Sequence, residues 1–141
     1  MRADPDPRAE IVDLVWRLVD EMHEHFHTRI AALGLSLPQA MALRGLDPDD
    51  PVAMRELACR LRCDASNITG IVDRLEAKGL VERRVAVGDR RVKTLVFTAK
   101  GRAVRRRLEA ALLDESPPVV RLTPVEQREF RALLRRIITP P

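Results

Sequence analysis

The sequence predicts a mainly α fold with a small β-wing, and three observations point to it. Apolar residues recur at helical spacing through most of the chain. Two valine-rich runs, Val81 to Ala86 and Val92 to Phe97, flank a charged turn and suit paired strands. Two helical patterns joined by a tight turn lie just before that hairpin, the arrangement of a helix-turn-helix.

The elements follow in order. Ile11, Leu14, Val15, Leu18, Val19, Met22, Phe26 and Ile30 set one helix from about Pro7 to Ala32, with Gly34 in the place of a left-handed cap. So long a helix in a 141-residue chain cannot bury its whole length in one core, so part of it is expected against another subunit. Ser36-Leu37-Pro38-Gln39 is a helix start with the makings of a capping box. That helix carries Met41, Leu43 and Leu46, and Asp47 to Pro51 is a loop. Met54, Leu57, Ala58 and Leu61 share one face of the next helix. After a turn at Arg62 and Cys63, Asp64 caps a helix running to about Lys78, with Ile68, Ile71, Val72 and Leu75 inward. Gly79 stops it, and Gly88-Asp89-Arg90-Arg91 is expected to form the hairpin turn. Thr98 caps a basic helix to Leu113, Ser116-Pro117-Pro118 breaks it, and Thr123-Pro124-Val125-Glu126 is a full capping box for the last helix. Phe130, Leu133, Leu134 and Ile137 form that helix's apolar stripe.

Charge separates the middle of the chain from its flanks. Between Met54 and Arg107 stand 15 Lys/Arg and 6 Asp/Glu, a balance of +9, whereas the remainder sums to −5. A basic block of this kind is the electrostatic footprint of a phosphate-binding module. Aromatics make up 3% of the residues and tyrosine is absent, which disfavours single-strand binding by base stacking. The start MRADPDPRAE lacks a signal-peptide apolar run and no stretch is long enough to span a membrane, so a cytoplasmic location with no membrane partner is expected.

The exposed side of the helix after Asp64 would carry Ser66, Asn67, Thr69, Gly70, Asp73 and Arg74. Small polar groups there can hydrogen-bond base edges in the major groove, Gly70 lets the backbone approach, and Arg74 reaches a phosphate or base. Arg90 and Arg91 at the hairpin tip suit a minor groove, with Asp89 pairing an arginine to hold it extended. Arg83, Arg84, Lys93, Lys100 and Arg102 are either phosphate contacts or solvated charge. The expected partner is double-stranded DNA.

The run from Met54 to Gly101 resembles the winged-helix region of the MarR (multiple-antibiotic-resistance-type) family. The resemblance is carried by RELACRL, NITGIVDRLEAKGLVERR, DRR and LVFTAKG, with SLPQ before them. It implies a winged helix-turn-helix with N- and C-terminal dimerisation helices. Residues 1–141 would form a single domain, with 36–98 as the reading head and 7–34 and 99–138 as dimerisation helices. It further implies a homodimeric repressor or activator on a pseudo-palindromic site, altered by a small effector or, in some members, by cysteine oxidation. Two reading helices would then enter major grooves roughly 34 Å apart. Asp89 and Arg91 match the family's wing Asp-x-Arg, while Ser66, Asn67, Thr69, Gly70 and Arg74 match its reading helix. Gly70 departs from the family pattern, where a longer and often basic side chain is common.

Other residues leave alternatives open. Trp16, His23 and Phe26 are candidates for lining an effector cavity, a phenolic ligand being one possibility, or are ordinary packing residues. Cys59 and Cys63 are either a core residue and a half-exposed turn residue, or a redox pair in which Arg62 and a helix N-terminus favour the Cys63 thiolate. His23, His25 and His27 lack further ligands, so no metal or cofactor is expected. No nucleophile–base pair or phosphate-cradling glycine loop is present, so an enzyme is not expected; an architectural DNA-binding protein of low specificity is the remaining alternative.

Overall fold

The computed structural model describes residues 6–113 and 118–139. Ser116 and Pro117, read from sequence as part of a helix break, lie outside the described residues, and Pro118 opens a short 3-10 turn, Pro118–Arg121. The chain divides into two compact units, one of residues 27–112 and one of residues 1–26 with 113–141.

The first helix, α1, spans Pro7–Ala32. Three helix ends share one stop. At the end of α1 the Leu35 N–H donates to Ile30 and the Gly34 N–H to Ala31, with Gly34 at φ +70°. This is the Schellman pairing, in which a left-handed residue lets the chain return to satisfy the last carbonyls. The same pairing closes α3 (Met54–Arg60) through Arg62 and α4 (Ala65–Ala77) through Gly79. Arg62 holds φ +50° without being glycine.

In the unit of residues 27–112, α2 (Leu37–Gly45) begins at the capping box of Ser36 and Gln39. Gln39 is buried, and its Oε1 also accepts from Lys78 Nζ at 3.0 Å. Asp64 caps α4 by accepting from the Asn67 N–H at 2.7 Å. Leu43, Leu57, Ile68, Val72, Leu75, Val81, Leu95 and Leu108 make the core of this unit.

The sheet has the order β1-β3-β2, all antiparallel. Its β1, Val52–Ala53, pairs with Leu95 and Thr94 and was not foreseen, because two residues give no periodicity to detect. β2 is Val81–Ala86 and β3 is Asp89–Phe97. The hairpin turn therefore differs from the expected Gly88-Asp89-Arg90-Arg91. Ala86 pairs with Asp89, so Val87 and Gly88 alone make the turn, with Gly88 at φ +92°. Regular pairing resumes at Val85 with Lys93, which leaves Arg90, Arg91 and Val92 in a bulge.

Helix α5 (Ala99–Leu113) starts where Thr98 Oγ1 accepts from the Gly101 N–H at 2.9 Å and donates to the Gly79 carbonyl at 2.6 Å. Gly101 lies so close to Leu80 that an added Cβ would sit 1.8 Å from its carbonyl oxygen. That contact gives the T-x-x-G spacing a physical reason.

In the other unit, the capping box of Thr123 and Glu126 opens α6, Pro124–Ile138. Glu21 of α1 pairs with Arg121 at 3.2 Å. None of α6 is buried, and Leu133, Ile137 and Ile138 are exposed. Ile11, Leu14, Val15 and Trp16 on α1 are likewise exposed.

Candidate nucleic-acid interface

The buried stripe of α4, Ile68, Ile71, Val72 and Leu75, fixes which side of the helix faces outward. Ser66, Asn67, Thr69 and Arg74 are all exposed, and Gly70 is half-buried. The helix start constrains two of them. Ser66 Oγ donates to Asp64 at 2.8 Å, and Thr69 Oγ1 donates to the Ala65 carbonyl at 2.8 Å. With their protons engaged, both hydroxyls present lone pairs outward and act as acceptors. The Asn67 side-chain amide has no partner among the described residues, so it can both donate and accept. The Asn67 N–H, then the Ser66 hydroxyl, hold the Asp64 carboxyl below its ordinary pKa. Asp47, in the loop after α2, is lowered by the N–H groups of Asp49 and Asp50.

The wing uses its acid differently from the sequence expectation. Asp89 Oδ1 accepts from the Arg91 backbone N–H at 2.9 Å, and no arginine side chain pairs with it. Two residues away, the carboxylate reaches the amide that the bulge leaves outside the ladder. The guanidinium groups of Arg90 and Arg91 are exposed and unpaired. Between the start of α3 and the strand β3, Arg55, Asp89, Arg91 and Lys93 line a cleft together with Ala53 and Met54.

Arg83, left undecided by sequence, is an internal anchor. Its guanidinium pairs with Asp73 at 2.6 Å and with Glu76, and its N–H donates to Glu76 at 3.1 Å. Two acids on α4 are thereby neutralised and β2 is tied to that helix. The spacing of Asp73 and Glu76, three apart on one helical face, was the available signal; only the fold shows which arginine answers it. Arg84 pairs with Glu82, Lys100 donates to the Lys78 carbonyl and Arg102 to that of Pro48. Lys93 remains unpaired.

Cys59 is exposed, not in the core, and Cys63 is half-buried; both are free thiols. Leu57 and Ala58 take the inward positions of α3, and the next residue turns about 100° away from them. Trp16 and His23 are exposed on α1, and Phe26 is half-buried with its ring edge-on to His25 at 5.5 Å.

Residues 35–93 match the MarR family sequence model. The HTH-type transcriptional repressor Rv2887 of Mycobacterium tuberculosis is 30% identical over 125 residues, 88% of this chain and 90% of that repressor. The chain belongs to the MarR family. The crystal structure of Rv2887 in complex with DNA superposes with a TM-score of 0.76 at 27% identity, covering 89% of this chain and 95% of that one. Its complex with salicylic acid gives 0.68 at 28% identity, over 88% and 93%. The winged helix-turn-helix of this MarR-family chain is thus a fold shared over most of its length. Among the described residues, no helix is long and apolar enough to cross a membrane.

Proposed function

We propose that this chain is a homodimeric repressor that binds a pseudo-palindromic DNA site and is released by a small aromatic-acid effector. One observation carries the DNA reading. The core stripe of α4 leaves Ser66, Asn67, Thr69 and Arg74 outward, on the same unit as a wing with two unpaired arginines. Base-edge contacts from α4 specify, while cations on the wing supply affinity. Dimerisation is supported by the exposed apolar residues of α1 and α6, which a second copy would remove from water. The effector reading rests on Rv2887, solved both with DNA and with salicylic acid. Trp16, His23 and Phe26 are the residues proposed to meet such a ligand.

The test is to select duplexes from a randomised pool with the full chain, then footprint the selected site with and without salicylate. A protected inverted repeat that salicylate releases supports the reading. Equal affinity for selected and shuffled duplexes overturns it in favour of an architectural protein.

A further inference from the structure

The tripeptide Ala-Lys-Gly occurs twice, at the stop of α4 (Ala77-Lys78-Gly79) and at the start of α5 (Ala99-Lys100-Gly101). Lys100 stands in the first turn of a helix that has no acid there, where the helix dipole disfavours a cation. Its ammonium serves the preceding helix instead: Lys100 Nζ donates to the Lys78 carbonyl at 2.8 Å. Thr98, at the same helix start, donates its hydroxyl to the Gly79 carbonyl at 2.6 Å and its N–H to the Leu80 carbonyl at 3.1 Å. Three successive carbonyls at the stop of α4 are thus satisfied from the start of α5.

Lys78 ties the same stop in another direction. Its Nζ donates to the Gly34 carbonyl, at the stop of α1, and to Gln39 Oε1 at 3.0 Å. Gln39 is buried, and its Oε1 also accepts from the Ser36 N–H at 3.2 Å in the capping box of α2. Both acceptors are therefore held in place by backbone, and both bonds are charge-assisted. The helices α1 and α5 are those by which the chain leaves this unit, α1 through Phe26 and α5 through Leu113. The last turn of the helix that carries Ser66, Asn67, Thr69 and Arg74 is bonded to the near ends of both.

We propose that Lys78 and Lys100 are positioning residues: they fix the reading helix to the ends of α1 and α5, and this double tie sets which half-site spacing the dimer accepts. The assignment rests on the homodimeric DNA reading above. A dimer reads two half-sites at a separation fixed by its own geometry, so a reading helix released from its ties tolerates more than one separation.

The full chain is tested on duplexes carrying the selected half-site twice, inverted, with spacers of stepped length. Wild type is expected to prefer one spacer. Lys78→Met keeps the aliphatic stem and removes the donor. It should cut discrimination against a spacer one base pair longer or shorter by about tenfold, the worth of one hydrogen bond from a charged donor, with base preference inside each half-site unchanged. Lys100→Met should act in the same direction, and Lys78→Arg, which retains charged donors, should restore the preference. Arg106→Met removes an exposed, unpaired cation of α5 and should weaken binding at every spacer alike. Thermal melts accompany each variant, because a residue that only supports the fold would lower Tm and leave the spacer preference intact. The tie is overturned if Lys78→Met folds and keeps wild-type discrimination, or if Arg106→Met loses as much. Should Lys78→Met not fold, Lys100→Met decides by the same criterion. A wild-type chain that binds a single half-site as tightly as the inverted pair overturns the dimeric reading and the tie together. A wild type that needs the pair but is indifferent to the spacer overturns the tie alone.

Discussion

Gly70 is the position where stability and binding should move in opposite directions. It sits inside the 13-residue helix α4, and a Cβ built there meets nothing within 4 Å. Alanine therefore fits the folded chain, and it relieves the entropy that glycine loses on entering a helix, about 0.5–1 kcal/mol. Unfolding entropy of about 2 cal/mol/K per residue turns this into a rise in Tm of about 2–3 °C for a chain of this length. If the glycine is there to let the backbone approach a base pair, the added methyl overpacks the bound state. Overpacking costs about 1–3 kcal/mol, an affinity loss between roughly 5-fold and 150-fold. Gly70→Ala should melt higher without DNA and bind the selected duplex more weakly, by calorimetry and fluorescence anisotropy. A variant that melts higher and binds as tightly as wild type refutes the close-approach role. A lower Tm refutes the open space around Gly70. Gly101→Ala is the contrast: its Cβ would meet the Leu80 carbonyl oxygen at 1.8 Å, so Tm should fall by about 10 °C or more, equivalent to about 3 kcal/mol.

Three further outcomes are expected. Arg62→Gly should raise Tm by about 3 °C, because a residue at φ +50° gives up about 1 kcal/mol that glycine does not; an unchanged melt would remove strain from that turn. The Asp64 pKa is lowered in the fold from 3.8, so the stability it supplies is present above that pH and is lost as pH falls through the folded value. Asp64→Asn cannot titrate, so the Tm gap to wild type should hold above about pH 4 and change below it; a gap constant into strong acid contradicts the cap's charge. A double-mutant cycle of Arg83→Ala and Asp73→Asn should show coupling of about 0.5–1 kcal/mol, modest because Asp73 is 59% exposed, and additive effects would dissolve the anchor.

What the sequence made legible was local. The Asp64 cap, the capping boxes at Ser36 and Thr123 and the stops at Gly34 and Gly79 involve partners three to five residues apart, and each stands where its spacing placed it. What it hid was set at a distance. Val52 and Ala53 become a strand only because Leu95 and Thr94 present an open edge to them. The hairpin register turned on Ala86 pairing with Asp89, although Arg90–Val92 then lose their regular partners, so the sequence pattern of a strand begins only at Val92. The exposure of Cys59 goes against the core alternative for another reason: a cysteine among apolar residues suggests a core position, while the helical phase set by Leu57 and Ala58 puts it outside.

Charge shows the same division with more consequence. The block from Met54 to Arg107 carries 15 cations, and the sequence singles out Arg74, Arg90 and Arg91 but leaves open which of the others are spent on internal partners. In the fold, Arg60, Arg83, Arg84 and Arg105 are each paired with a carboxylate, while Lys78, Lys100 and Arg102 are bound to backbone carbonyls. A close ion pair acts beyond a Debye length of about 8 Å as little more than a dipole, so it contributes weakly to drawing in a polyanion. Among the described residues of the block, Arg55, Arg62, Arg74, Arg90, Arg91, Lys93, Arg106 and Arg107 remain without such a partner. Six of these eight belong to α3, the turn after it, α4 or the wing. The paired cations spend their charge cancelling acids that would repel DNA, among them Asp73 and Glu76 on α4 itself. The internal pairs thus sharpen the field, because they silence Glu56, Asp73, Glu76 and Glu82 and leave most of the free cations on α3, the turn after it, α4 and the wing.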